Sequence, residues 1–151
     1  MKKTFNLKKT SEFSLNNRKK ILEMSFNAGS ASAHIGGALS SSDIISVIFS
    51  DFLKYDKNNT TWKQRDRFIL SKGHACLAYY AALNQIGVLS DDDVMSFEED
   101  HSDLAGHTVK NLNKGIEFST GSLGMGLYIA VGLGIAYKKK KNRQQNFCHN
   151  G

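Results

Sequence analysis

Proline is missing altogether from this 151-residue chain, so the breaks between its elements fall to glycine, present 13 times, and to polar turn residues. Cysteine is scarce. Cys76 and Cys148 stand far apart without metal-ligand spacing, which points to neither a disulfide framework nor a zinc site. No apolar run approaches the ~20 residues needed to cross a bilayer. The basic start, Met1-Lys2-Lys3-Thr4, is not followed by the apolar core of a signal peptide. These absences give the expectation of a cytoplasmic protein with no membrane partner. Also absent is a basic stripe interleaved with aromatics, the usual footprint of a nucleic-acid binder. The net charge is +6, but lysines and arginines crowd the two ends, and the middle is balanced or locally acidic. No nucleic-acid partner is expected.

What is present has the composition of one ordinary globular domain, 40% hydrophobic and 23% charged. Residues 11–28 read as a helix with a partial apolar face, stopped at Ala28-Gly29. Residues 29–39 are small and flexible, with His34 beside Gly36-Gly37. Ser40 or Ser41 is expected to cap a buried helix through Leu53. Asp66 to Ser71 reads as a short buried strand that turns through Lys72-Gly73-His74-Ala75 into a helix closed by Gly87. A strand, a glycine turn and a helix form the place where α/β proteins put ligands. His74 then stands at a helix N-terminus, where the dipole lowers an imidazole pKa. The plain alternative is a histidine that caps its helix. Ser90 with Asp91, Asp92 and Asp93 begins another helix, its acids placed for capping and not for metal.

The chain is organised around Ser119-Thr120-Gly121-Ser122-Leu123-Gly124-Met125-Gly126. Three glycines in six residues open into an apolar helix, Leu127 to Lys141, with small residues along it. Such a turn gathers unpaired N–H groups at a helix start and suits an anion or cofactor. Without a strand directly before it, the turn is not the dinucleotide fingerprint.

Four motifs occur in order: Ala33-His34-Ile35-Gly36-Gly37, Ser71-Lys72-Gly73-His74-Ala75, Gly106-His107 and the turn from Ser119 to Gly126. In this order the sequence resembles the N-terminal, thiamine diphosphate-binding part of transketolase, most of all the form split into two subunits. The resemblance runs over residues 15–137. It implies an α/β fold, the front portion of a three-layer α/β/α domain, mostly helical as far as this chain extends. It implies that His34 hydrogen-bonds sugar hydroxyls, that His74 borders the cofactor's phosphates and that His107 contacts the donor's C1 hydroxyl. Gly121 would offer its carbonyl to the aminopyrimidine, and Leu123 would pack beside the rings. Thiamine diphosphate and Mg²⁺ are the implied cofactors. The implied partners are sugar phosphates and a transketolase C-terminal subunit, in a dimer of such halves.

The departures from the family pattern are specific. Ile35 stands where proline is common, and Ser122 and Met125 replace a common proline and glutamine. After the helix the family continues through a strand into Gly-Asp-Gly-Glu, whose Asp binds Mg²⁺. Here Asn146-Phe147-Cys148-His149-Asn150-Gly151 occupies that place, so no metal ligands are expected from this chain. Residues 138–151 are expected to be a frameshifted or aberrant tail. Asn142 to Gly151 can be encoded so that reading one nucleotide later gives Thr-Asp-Asn-Lys-Ile-Phe-Val-Ile-Met, an apolar strand. The adenine-rich lysine codons would be the point of slippage.

The sequence is therefore expected to be a transketolase N-terminal subunit fragment, inactive alone, whose complete enzyme moves two-carbon ketol units between sugar phosphates. The alternative is a non-catalytic module that binds a transketolase C-terminal subunit. Such a fragment is expected to leave strand edges and apolar helix faces uncovered.

Overall fold

The computed structural model describes residues 6–29 and 33–150. Residues 30–32, within the stretch read as a flexible loop, lie outside the described residues, as do 1–5 and 151. Three helices make the core. α1 (Leu7–Asn27) starts four residues before the expected boundary, because the Asn6 side chain accepts a hydrogen bond from the Lys9 N–H at 3.1 Å. Ile21 and Met24 on its inner face are fully buried. So is Asn17, and its polar atoms are matched: Nδ2 donates to the Ala78 carbonyl and Oδ1 accepts from the Ser42 hydroxyl, each at 3.0 Å. One amide thus ties α1 to both other core helices.

α2 (Ile35–Val47) runs on through a π turn, Ile48–Phe52. The expected capping by Ser40 or Ser41 is overturned. The helix begins nearly two turns earlier, and both serine hydroxyls donate back to the Gly37 carbonyl, at 3.0 and 2.9 Å. Packing overrides the poor helix propensity of Gly36-Gly37, since Ala38 is fully buried against the core. The expectation that no apolar run comes near membrane-spanning length is corrected, since Ile35–Phe52 is long and apolar enough to cross a membrane by length and composition alone. In the fold it packs on α1 and α3 and buries Ser41, Ser42, Ser46 and Ser50 with its apolar residues, as a core helix does.

β1 (Arg67–Leu70) leads through a tight turn, Gly73–Ala75, into α3 (Cys76–Gln85). Every residue of α3 from Cys76 to Leu83 is buried, so this helix is the centre of the core. The short α4 (Asp91–Met95) carries the expected cap, with Ser90 and Asp93 bonding reciprocally. α5 (Met125–Lys139) and β2 (Asn146–His149) follow. β2 pairs parallel with β1, Arg67 opposite Asn146 and Leu70 opposite His149. The α/β reading holds: a mostly helical layer packed on a two-stranded parallel sheet, with α5 on β2 and β1.

Candidate functional site

The C-terminal end of β1 is where the four motifs meet. His34 is the residue before α2, His74 lies in the turn after β1, and His107 is carried by the loop after α4. The rings of His34 and His74 are edge-on with centroids 5.5 Å apart, and those of His34 and His107 are 5.7 Å apart. Sequence positions more than 70 residues apart thus share one face of the molecule. Among the described residues none of their ring nitrogens has a hydrogen-bond partner, so donors and acceptors stand ready for a ligand.

Glycine makes the approach possible. A Cβ on Gly37 would lie 2.8 Å from Cδ2 of His74, and one on Gly73 would lie 2.7 Å from the Thr120 carbonyl oxygen. Any side chain at either position would force the elements apart. Gly124, just before α5, has φ of +83°, with nothing within 4 Å of where its Cβ would be.

The supporting contacts are polar and buried. Thr120 Oγ1 donates to the Leu70 carbonyl at 2.5 Å, which commits its one proton, so the Thr108 hydroxyl donates to Thr120 Oγ1 across 2.7 Å. The glycine-rich turn is thereby fixed to the end of β1. The His107 loop is held by the Tyr80 hydroxyl, which donates to the Ala105 carbonyl at 3.0 Å, and by the Cys76 thiol on the Gly106 carbonyl at 3.1 Å. Burial pushes that thiol up to about 12, so Cys76 is a structural donor and not a nucleophile. Arg65 forms a bidentate pair with Glu117, both bonds 2.7 Å, with both side chains about 95% buried and Arg67 adding a third contact at 3.4 Å. Burial holds the Glu117 carboxyl above the usual value, against the pull of these guanidiniums.

Burial also holds the His74 imidazole below its ordinary pKa, and the Lys72 ammonium, His34 and His107 add to this. The ring is therefore neutral at neutral pH, as expected, but burial leads where the helix dipole was expected to. Lys72 is a residue that sequence reasoning does not single out. Its Nζ donates to Ser40 Oγ at 2.9 Å and its Cε would come within 3.7 Å of a Gly37 Cβ, so it borders the same face. His149 is another. Ser41 Oγ gives its proton to Gly37, so His149 Nε2 is the donor in their 2.9 Å hydrogen bond. Its carbonyl accepts from the Ser71 N–H at 2.9 Å. Lys72 lies inside the motif from Ser71 to Ala75 without a role read for it, and His149 lies beyond the motifs; the pairings depend on how α2 crosses the sheet.

Gly121 sits in the turn beside His107, where its Cβ would meet Cδ2 at 3.7 Å, and Leu123 is 65% exposed on the same turn. Unpartnered imidazoles, an open left-handed glycine and a bare turn at a helix start fit a flat cofactor with a phosphate tail. A metal does not fit in the same way, since among the described residues no three of His, Cys, Asp and Glu gather closely enough to hold an ion.

A strand–turn–helix end crossed by a glycine-rich turn and a histidine cluster defines an α/β cofactor-binding domain. The family described as "Transketolase, thiamine diphosphate binding domain" matches residues 12–150, and the chain belongs to it. The chain is 35% identical over 134 residues to one subunit of the apulose-4-phosphate transketolase of Actinobacillus succinogenes, covering 89% of this chain and 48% of that protein. It is 42% identical over 106 residues to transketolase 2 of Escherichia coli, covering 70% of this chain and 16% of that one. The transketolase structure from Campylobacter jejuni superposes with a TM-score of 0.82 at 31% identity, over 95% of this chain and 23% of that chain. This chain thus spans about half of the Actinobacillus succinogenes protein and under a quarter of the Escherichia coli and Campylobacter jejuni proteins.

Proposed function

We propose that this chain is the cofactor-binding front part of a transketolase that moves two-carbon ketol units between sugar phosphates. The observation that carries the reading is the convergence of His34, His74 and His107 from three separate elements onto the glycine-rich turn. When bound, thiamine diphosphate supplies the nucleophile and the electron sink for ketol cleavage. The chain's own part is orientation. His74, held neutral, donates beside the phosphates, and the Gly121 turn receives the rings with Leu123 alongside. His34 and His107 hydrogen-bond the sugar's hydroxyls. Imidazoles suit this work because a ring can donate at one nitrogen and accept at the other.

The site is half a site. His34, His107 and Leu123 are exposed, and no wall of the described residues faces them. A transketolase C-terminal subunit is the partner that would supply that wall. Among the described residues none gather to hold Mg²⁺, so no residue of them is given a role toward it.

The test is co-purification with a transketolase C-terminal subunit, followed by equilibrium dialysis against thiamine diphosphate. We expect a complex that retains cofactor without ketol transfer, and His74→Ala should lower retention by about tenfold, the loss of one charge-assisted hydrogen bond. A chain that neither joins the subunit nor retains cofactor would refute the reading.

A further inference from the structure

The opposite end of the sheet carries a second concavity. It has a volume of about 360 Å³ and lies beside the start of β1 and the connection from α5 to β2. Three cationic residues line it, Lys54, Lys141 and Arg143, together with Gln64 and Asn142. The acidic group in its wall is Asp66, and that carboxylate is spoken for. One oxygen accepts from the Lys54 N–H at 2.9 Å and the other from the Gln145 N–H at 2.8 Å. Asp66 is also 95% buried, and each of its oxygens already accepts a backbone N–H, which offsets part of its charge.

The cations, by contrast, are not neutralised. Among the described residues Lys54, Lys141 and Arg143 form no salt bridge. The Lys54 ammonium lies 4.8 Å over the Trp62 ring, which holds the side chain at the rim without removing its charge. The floor is stiff as well. Gln144 Nε2 donates to the Lys63 carbonyl at 2.7 Å, which ties the connection before β2 to the loop before β1. Lys141 adopts φ of +53°, a left-handed turn that brings Lys141 and Arg143 round to the same cavity.

We propose that this concavity is an anion site that takes a small phosphate-bearing ligand, separate from the histidine face. Three cationic and two primary-amide residues around one cavity suit an oxyanion, and a guanidinium can bind two of its oxygens at once. The volume is larger than one phosphate needs, which leaves room for a phosphomonoester. The inference does not depend on the histidine cluster being a cofactor site, because the two lie at opposite ends of β1.

The probe is inorganic phosphate, observed by ³¹P line width as the full chain is added at constant ionic strength. The expected result is saturable broadening that Lys141→Ala with Arg143→Ala weakens by about tenfold or more, as loss of charge-assisted hydrogen bonds requires. Removal of the same charge from the exposed outer side of α1, by Lys8→Ala with Lys19→Ala, should leave the broadening intact. All four side chains are exposed, so these variants fold. No broadening, non-saturable broadening, or equal loss in both double variants would overturn the site and leave only diffuse attraction to a basic chain. A phosphomonoester that displaces phosphate would extend the site to organic ligands; one that fails to do so would reject the phosphomonoester part of the proposal.

Discussion

α2 and α5 are comparably apolar in sequence, yet they meet opposite fates. In the bundle of α1, α2 and α3, Ile21, Met24, Ile45 and Leu77 are wholly shielded from solvent. On α5 the large residues stand out of the fold: Leu127 is 46% exposed, Val131 54%, Ile135 54% and Tyr128 80%. Only Gly126 of that helix is buried. The contrast separates two meanings of an apolar pattern. It says that a face is to be covered; it does not say that the covering surface lies in the same chain. α2 finds α1 and α3. α5 finds the short β1–β2 pair on one side and, among the described residues, no comparable cover on the other.

The widest gap between the two regions should appear in stability. Breaking the buried pair with Arg65→Met leaves Glu117 with only the longer Arg67 contact and is expected to cost about 3 kcal/mol. Leu77→Ala, at the centre of α3, is expected to cost about 2–5 kcal/mol. Val131→Ala on α5 should stay within about 0.5 kcal/mol. Urea unfolding of the three variants checks the order; a cost for Val131→Ala comparable to that for Leu77→Ala would erase the comparison.

Within α5 itself, two glycine substitutions should move in opposite directions. A Cβ on Gly126 would lie 2.6 Å from Cβ of Ser71, so Gly126→Ala should cost about 1–3 kcal/mol through overpacking against β1. A Cβ on Gly132 meets nothing within 4 Å, so Gly132→Ala should gain up to about 1 kcal/mol from helix propensity. Thermal melts of the pair read this directly, and a gain from both would mean that α5 is not seated on β1.

The smallest effect concerns pH. Burial, aided by Lys72, holds His149 below its ordinary pKa. The folded state therefore binds fewer protons than the unfolded chain just below the unfolded value of about 6.5, and stability falls as pH drops through that window toward the lower folded value. Above that window the contribution of neutral His149 is complete. His149→Phe should flatten the acid side of the stability profile, leaving the share due to His74. An unchanged acid slope would show that His149 is not held below its ordinary pKa in the folded chain.

Much of the candidate site is legible because it is written in local motifs. Ser71-Lys72-Gly73-His74 marks the strand-to-helix turn, and Gly121, Gly124 and Gly126 mark the other turn; close approach requires glycine at Gly73 and Gly126, and a positive φ favours it at Gly124. The start of α2 is not legible, because Ser40 and Ser41 look like caps and only burial of Ala38 extends the helix back through two glycines. Glu117 is visible beside the turn, but its partner Arg65 is not, because that pairing spans 52 residues and exists only once β1 is placed. Lys72 and His149 escape notice for the same reason.

Short stretches of sequence were enough to fix the family, the order of the motifs and the positions where only glycine fits, because each of these is a short-range demand of backbone geometry. Packing was needed to bring three histidines from distant segments onto one face, to set Arg65 against Glu117, and to gather Lys54, Lys141 and Arg143 around one cavity. Packing also settled which of two apolar helices is buried. Those outcomes rest on which surfaces meet, and that is a property of the folded chain, not of any stretch of it.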